Sequence, residues 1–125
     1  MNEIVHFEIP VDDLDRAQKF YKSTFGWQLN YMKEMDYTIL VTTEVDEKNM
    51  PKKPGSINGG MMKRSREFQA PVVTINVVDI DAAVAKIEKN GGKVIGKKME
   101  VENMGWPAYF KDPEGNVIGL WQNKM

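Results

Sequence analysis

Residues 6–15 read HFEIPVDDLD, and residues 72–81 read VVTINVVDID. Both run from an apolar stretch into Val-x-Asp-aliphatic-Asp. A shift of 66 residues lays Val11, Asp13, Leu14, Asp15 and Ala17 on Val77, Asp79, Ile80, Asp81 and Ala83. Further on, Gly26 falls on Gly92 and Leu29 on Ile95. Self-similarity at a fixed offset is the signature of a duplicated supersecondary unit. The copies differ at one informative place. His6, the chain's single histidine, opens the first copy, and Val72 stands at the matching position of the second.

Each copy begins as a half-buried strand. Val5, Phe7 and Ile9 share one parity in the first copy, and Val73, Ile75 and Val77 in the second, as a period of two requires. Asp13 and Asp79 then stand where a carboxylate can cap free backbone N–H groups, so a helix follows each strand. The apolar stripe of the first helix is Leu14, Ala17, Phe20, Tyr21 and Phe25; that of the second is Ile80, Ala83, Val84 and Ile87. Gly26 and the pair Gly91–Gly92 end the helices, because glycine tolerates the left-handed position past a helix terminus. Three strands follow in each copy: WQLNYM, YTILVTTE and SINGGMMKR in the first, KVIGKKM, WPAYFKD and NVIGLWQ in the second. DPEGN at 112–116 is a turn, with Pro113 presetting φ and Gly115 supplying a positive one. The fold class expected is α+β, two tandem βαβββ modules whose strands make a curled mixed sheet around a cleft. They form a single domain, with module one at about 1–64, a linker at about 65–70 and module two at about 71–125.

Bulk composition removes several function classes. The 125 residues carry 17 basic and 18 acidic side chains, a net charge of −1. Nothing in that balance recruits nucleic acid or an anionic membrane. Cysteine is absent, which removes disulfides, thiolate metal sites and thiol nucleophiles and fits a cytoplasmic location. Glu3, His6 and Glu8 make the N-terminus too polar for a signal peptide, and no apolar run approaches the roughly 20 residues of a membrane span. GSINGG lacks the Gly-Lys-Ser/Thr ending of a phosphate loop, and no serine sits in a G-x-S-x-G elbow.

Two βαβββ modules with HFEIPVDDLDRAQKFYKSTFGW early, INGGMM in the middle and GWPAYFKDPEGNVIGLWQ late resemble the vicinal oxygen chelate superfamily. That superfamily includes glyoxalase I, extradiol dioxygenases, bleomycin resistance proteins and methylmalonyl-CoA epimerase, and the chain is similar to its branch related to lactoylglutathione lyase. The resemblance covers nearly the whole chain. It implies the fold firmly and the reaction weakly, because this fold hosts many chemistries. It also implies a homodimer, and a divalent metal held from inward-facing positions on the first and last strands of each module. Carried over residue by residue, those positions hold His6, Val72, Gly119 and either Gly59 or Gly60. One donor in four falls short of the roughly three protein ligands a catalytic zinc needs. The expectation is therefore no metal and no cofactor.

What remains is a pocket of ordinary polar groups. Period two sets Glu8 on the face of His6, Thr74 and Asn76 on the face of Val72, and Trp121 on the face of Gly119. His6 and Glu8 are the candidates for acid–base roles, since imidazole titrates near neutrality. The competing reading makes His6 a hydrogen-bonded interior histidine and Glu8 a solvated strand residue. Tyr37, Gly60, Thr74, Asn76, Trp106, Tyr109, Gly119 and Trp121 are the candidates for binding a ligand. The tryptophans and tyrosines serve equally as packing residues. The glycines would leave room. The expected function is metal-independent binding of a small apolar or aromatic molecule. The alternatives are a lyase or isomerase using His6 and Glu8, or a metal-dependent lyase or dioxygenase.

Overall fold

The computed structural model describes residues 1–101 and 103–124. Its elements follow one another as β1 (Ile4–Val11), α1 (Leu14–Phe25), β2 (Gln28–Met32), β3 (Tyr37–Val41) and β4 (Gly59–Lys63), then β5 (Val72–Asn76), α2 (Ile80–Lys89), β6 (Lys93–Ile95), β7 (Gly105–Lys111) and β8 (Val117–Asn123). This is βαβββ written twice, as the repeat implies. By contact the chain divides into His6–Pro71 and a second unit, Val72–Met125 with Met1–Val5. The first five residues thus group with the second module, where the Asn76 amide donates to the Glu3 carbonyl.

In the His6–Pro71 unit the strand order is β2-β3-β4-β1. β1 and β4 are parallel, and the other neighbours are antiparallel. In the second unit the order is β5-β8-β7-β6, with β5 and β8 the parallel pair. Each sheet is therefore mixed, because the helix after the first strand returns the chain as a crossover before the hairpins begin.

The helix starts obey the sequence. The Asp13 carboxylate accepts from the Arg16 amide and that of Asp79 from the Ala82 amide, and each cap contributes about 1 kcal/mol. Gly26 ends α1 with φ of 74° and its amide on the Lys22 carbonyl. Three strands are clearly shorter than the sequence pattern, among them β4, which covers only Gly59–Lys63 of SINGGMMKR. β3 stops at Val41 because the amides of Thr42 and Thr43 turn to the Asn58 side-chain oxygen. β6 stops at Ile95, before Gly96 takes φ of 66°. In the DPEGN turn the Asp112 carboxylate gathers the Glu114 and Asn116 amides, each at 2.9 Å.

Packing differs between the two units. Under α2, Val77, Ile80, Ala108, Phe110 and Leu120 form a buried cluster. The larger side chains among them each contribute about 1.5–3 kcal/mol by leaving water, and Ala108 less. Leu40 and Met61 are buried in the other unit. Along α1, however, no residue is fully buried. Tyr21 lies flat on Trp27 (4.8 Å between centroids, 7° between planes). Phe20 and Phe25 meet one another edge-on and remain 55% and 61% exposed. The stripe read from the sequence is thus a set of touching aromatic rings, with Tyr21 and Trp27 half-buried and Phe20 and Phe25 exposed. No described helix is long and apolar enough to cross a membrane.

Candidate functional site

Register decides which side chains of the His6–Pro71 unit share a face. Glu8 pairs with Gly60 across β1–β4, and Ile39 pairs with Gly60 across β3–β4. Period two then sets His6, Glu8, Gly60, Ile39 and Tyr37 on one face. Phe7, Ile9, Gly59, Met61, Thr38 and Leu40 take the other. The two glycines have different neighbours for that reason. A Cβ on Gly59 would run into the backbone and ring of Phe7, and one on Gly60 would overlap the Tyr37 hydroxyl.

The Tyr37 hydroxyl is the centre of the cluster. It donates to Glu8 Oε2 at 2.7 Å and lies 2.9 Å from His6 Nε2. Glu8 is 5% exposed, and His6 and Tyr37 are half-buried. Burial holds the His6 imidazole below its usual range, and the Glu8 carboxylate opposes that shift without cancelling it. The physical cause is the loss of hydration that imidazolium would need. His6 is accordingly neutral at neutral pH, and its ring, the phenol and the carboxylate form a three-member hydrogen-bonded chain on a glycine floor. The sequence brought His6 and Glu8 together through period two. Its reading of Tyr37 as a ligand contact missed the bridge, because that link spans 29 and 31 residues. The signal that existed was a tyrosine opening the strand before a Gly-Gly pair.

The second unit builds its own face. Thr74 pairs with Gly119 and Asn76 with Trp121 across β5–β8, and Tyr109 and Pro107 pair with Gly119 and Trp121 across β7–β8. Thr74, Asn76, Tyr109, Gly119 and Trp121 therefore share one face. A Cβ on Gly119 would come 2.7 Å from Thr74 Oγ1. Glu8–Gly60 and Thr74–Gly119 are equivalent pairs, and this equivalence selects Gly60 over Gly59 as the counterpart of Gly119. Asn76 Oδ1 is buried and has no hydrogen-bond partner among the described residues. Trp106 does not join this group. It pairs with Gln122, one residue out of phase with Trp121, and packs against the core under α2. The ammonium groups of Lys124 and Lys98 lie 5.2 and 5.9 Å from its ring centroid.

Two recesses in the His6–Pro71 unit went unread in the sequence. One of about 420 Å³ is lined by Gly26, Gln28, Val41, Thr42, Glu44 and Lys52. Another, of about 250 Å³, is lined by Val11, Asp12, Leu14, Asp36, Thr38 and Met61, among others. Neither includes His6 or Glu8. Thr38, 1% exposed and with its hydroxyl unpartnered, belongs to the second. A lone buried threonine leaves no mark in a single sequence.

Among the described residues, no group of three or more His, Cys, Asp or Glu side chains is placed to hold a metal ion. On the His6 face, imidazole Nε2 and carboxylate Oε2 are each engaged by the Tyr37 hydroxyl.

Comparison with known proteins follows the same lines. Residues 3–43 match a family described as bleomycin resistance protein-like N-terminal. A protein of Vibrio parahaemolyticus named probable lactoylglutathione lyase is 33% identical, over 98% of this chain and 91% of its own length. Among solved structures, methylmalonyl-CoA epimerase from Mycobacterium tuberculosis superposes with a TM-score of 0.66 at 18% identity, covering 98% of this chain and 88% of the other. A glyoxalase/bleomycin resistance protein/dioxygenase superfamily member from Vibrio splendidus gives 0.64 at 11% identity, covering 98% and 100%. With a relative at 33% identity along nearly its whole length, the chain belongs to the glyoxalase/bleomycin resistance/dioxygenase group, the vicinal oxygen chelate superfamily.

Proposed function

We propose that this chain binds a small organic molecule on the His6–Tyr37–Glu8 face without a divalent metal. One observation carries the reading: the Tyr37 hydroxyl fills the space that any side chain on Gly60 would need. A superfamily metal site draws on that position, and here it offers no ligand and no room for one. The residues at the other inherited positions, Val72 and Gly119, bring no donor either. The donor set does not fit a catalytic divalent ion, which needs about three protein ligands and an open position. The half-buried polar cluster, set in a sheet with an apolar opposite face, is the mixture that small-molecule sites use. Ile39 and the Tyr37 ring on the same face suit an apolar or aromatic ligand. We further read the protein as a cytoplasmic homodimer, since isologous pairing is the commonest assembly.

The test is native mass spectrometry of untagged protein, with elemental analysis of the same sample. The expected result is a dimer without stoichiometric metal and with an added organic mass. One divalent ion per chain, lost to a chelator together with ligand affinity, would overturn the reading.

A second reading is favoured by the neutral His6 at the end of a chain of hydrogen bonds to Glu8. That arrangement suits a general base for proton abstraction beside a carbonyl. Dihydroxyacetone incubated in D₂O with the protein reports it by NMR. Deuterium incorporation that disappears in His6→Gln supports an enzyme; exchange at the solvent rate supports binding alone.

A further inference from the structure

We propose that the His6–Tyr37–Glu8 face selects a neutral ligand that brings an N–H or O–H donor, and that it rejects carboxylates and phosphates. The proposal rests on the metal-free binding reading and deepens it by naming the ligand class.

The argument is a count of protons. The Tyr37 hydroxyl donates its single proton to Glu8 Oε2 at 2.7 Å. The Tyr37 oxygen then has only lone pairs to offer His6. The 2.9 Å contact to Nε2 therefore requires the imidazole proton on Nε2. Neutral imidazole carries one N–H, and His6 is held neutral by burial. Nδ1 is left as a bare acceptor. Tyr37 thus acts as a positioning residue: it sets the tautomer, and through it the polarity of what the site presents. An arriving N–H or O–H finds a lone pair. An arriving carboxylate or phosphate brings only lone pairs to that lone pair, and its loss of hydration goes uncompensated there. The reverse wiring, with a protonated Glu8 donating to Tyr37 and Tyr37 donating to Nε2, would place the imidazole proton on Nδ1 and turn the site into a donor.

Because His6 is the only histidine, its ring nitrogens can be read in ¹⁵N-labelled protein without assignment. A long-range ¹H–¹⁵N spectrum near pH 8, in metal-free buffer, should show Nε2 protonated and Nδ1 bare. Phenol, anisole and benzoate then serve as probes of one ring size: a neutral donor, a neutral non-donor and an anion. Phenol should move the Nδ1 resonance and bind at least about tenfold more tightly than the other two. In Tyr37→Phe the tautomers should mix and the preference for phenol over benzoate should shrink. A proton on Nδ1 overturns the proposal. So do benzoate or anisole binding as tightly as phenol, no response to phenol, and an unchanged preference in Tyr37→Phe. Failure of the underlying reading is separately visible: one equivalent of Zn²⁺ would displace the proton from Nε2 and shift both ring nitrogens.

Discussion

Gly60→Ala should collapse the Tyr37 bridge, and its size can be worked from the contacts. The new methyl group and the Tyr37 hydroxyl cannot share the same space, so the ring must swing away. Two hydrogen bonds go with it. The bond to the Glu8 carboxylate, at 2.7 Å, contributes about 1.5–3 kcal/mol, and the bond to His6, at 2.9 Å, about 1 kcal/mol. Crowding in a packed sheet adds about 1–3 kcal/mol. Against these, alanine narrows the unfolded ensemble and returns about 0.4–1 kcal/mol, and water re-solvates part of what is freed. The net expectation is a loss of about 2–4 kcal/mol. With a urea slope of about 2 kcal/mol/M, the unfolding midpoint should fall by roughly 1–2 M. The control is the same substitution in a Tyr37→Ala background, where the three atoms nearest the new methyl group are gone. There the added cost should drop below about 1 kcal/mol, a strong departure from additivity between neighbours. Equal costs in both backgrounds, or a Gly60→Ala protein as stable as the parent, would refute the claim that Tyr37 depends on the missing side chain.

Other outcomes follow from the same geometry. Burial depresses the His6 pKa, so below about 6.5 the unfolded chain binds the proton more readily than the folded one. Stability should therefore fall as pH drops from that value towards the folded pKa; in His6→Gln this component should vanish from chemical denaturation curves taken between pH 5 and 7, and an identical slope in both proteins would sink the assignment. Thr38→Val removes a buried hydroxyl that has no partner, and thermal melts should show equal or greater stability, by about 1 kcal/mol; a loss of 2 kcal/mol or so would mean that a bound water or ligand satisfies it. Asp13→Ala and Asp79→Ala should each lower stability by about 1 kcal/mol in urea titrations, whereas Asp13→Asn should be nearly neutral.

Much of the fold was legible because its signals are local. Alternation, cap, stripe and terminal glycine recur within about 30 residues of one another in each copy, and each acts through backbone geometry that neighbouring residues set. The caps at Asp13 and Asp79 and the turn at 112–116 needed no tertiary information. The α1 stripe misled in part, since helical periodicity says which residues align and not how deep they sit. Tyr21 and Trp27 stack half-buried, and Phe20 and Phe25 stay exposed. The parity of Trp106 was likewise undetermined until β7 was placed against β8.

The candidate site divides along the same line. The sequence by itself determined the duplicated modules and the common face of His6 and Glu8. These are properties of residue identity and of a period of two. Only the tertiary structure decided that Tyr37 bridges His6 and Glu8, that Gly60 and not Gly59 lies beneath it, and that Thr38 closes the opposite face unpartnered. The reason is register. β3, β4 and β1 are far apart in the chain, and sliding any one of them by a single residue would turn its side chains to the other face and dismantle the cluster.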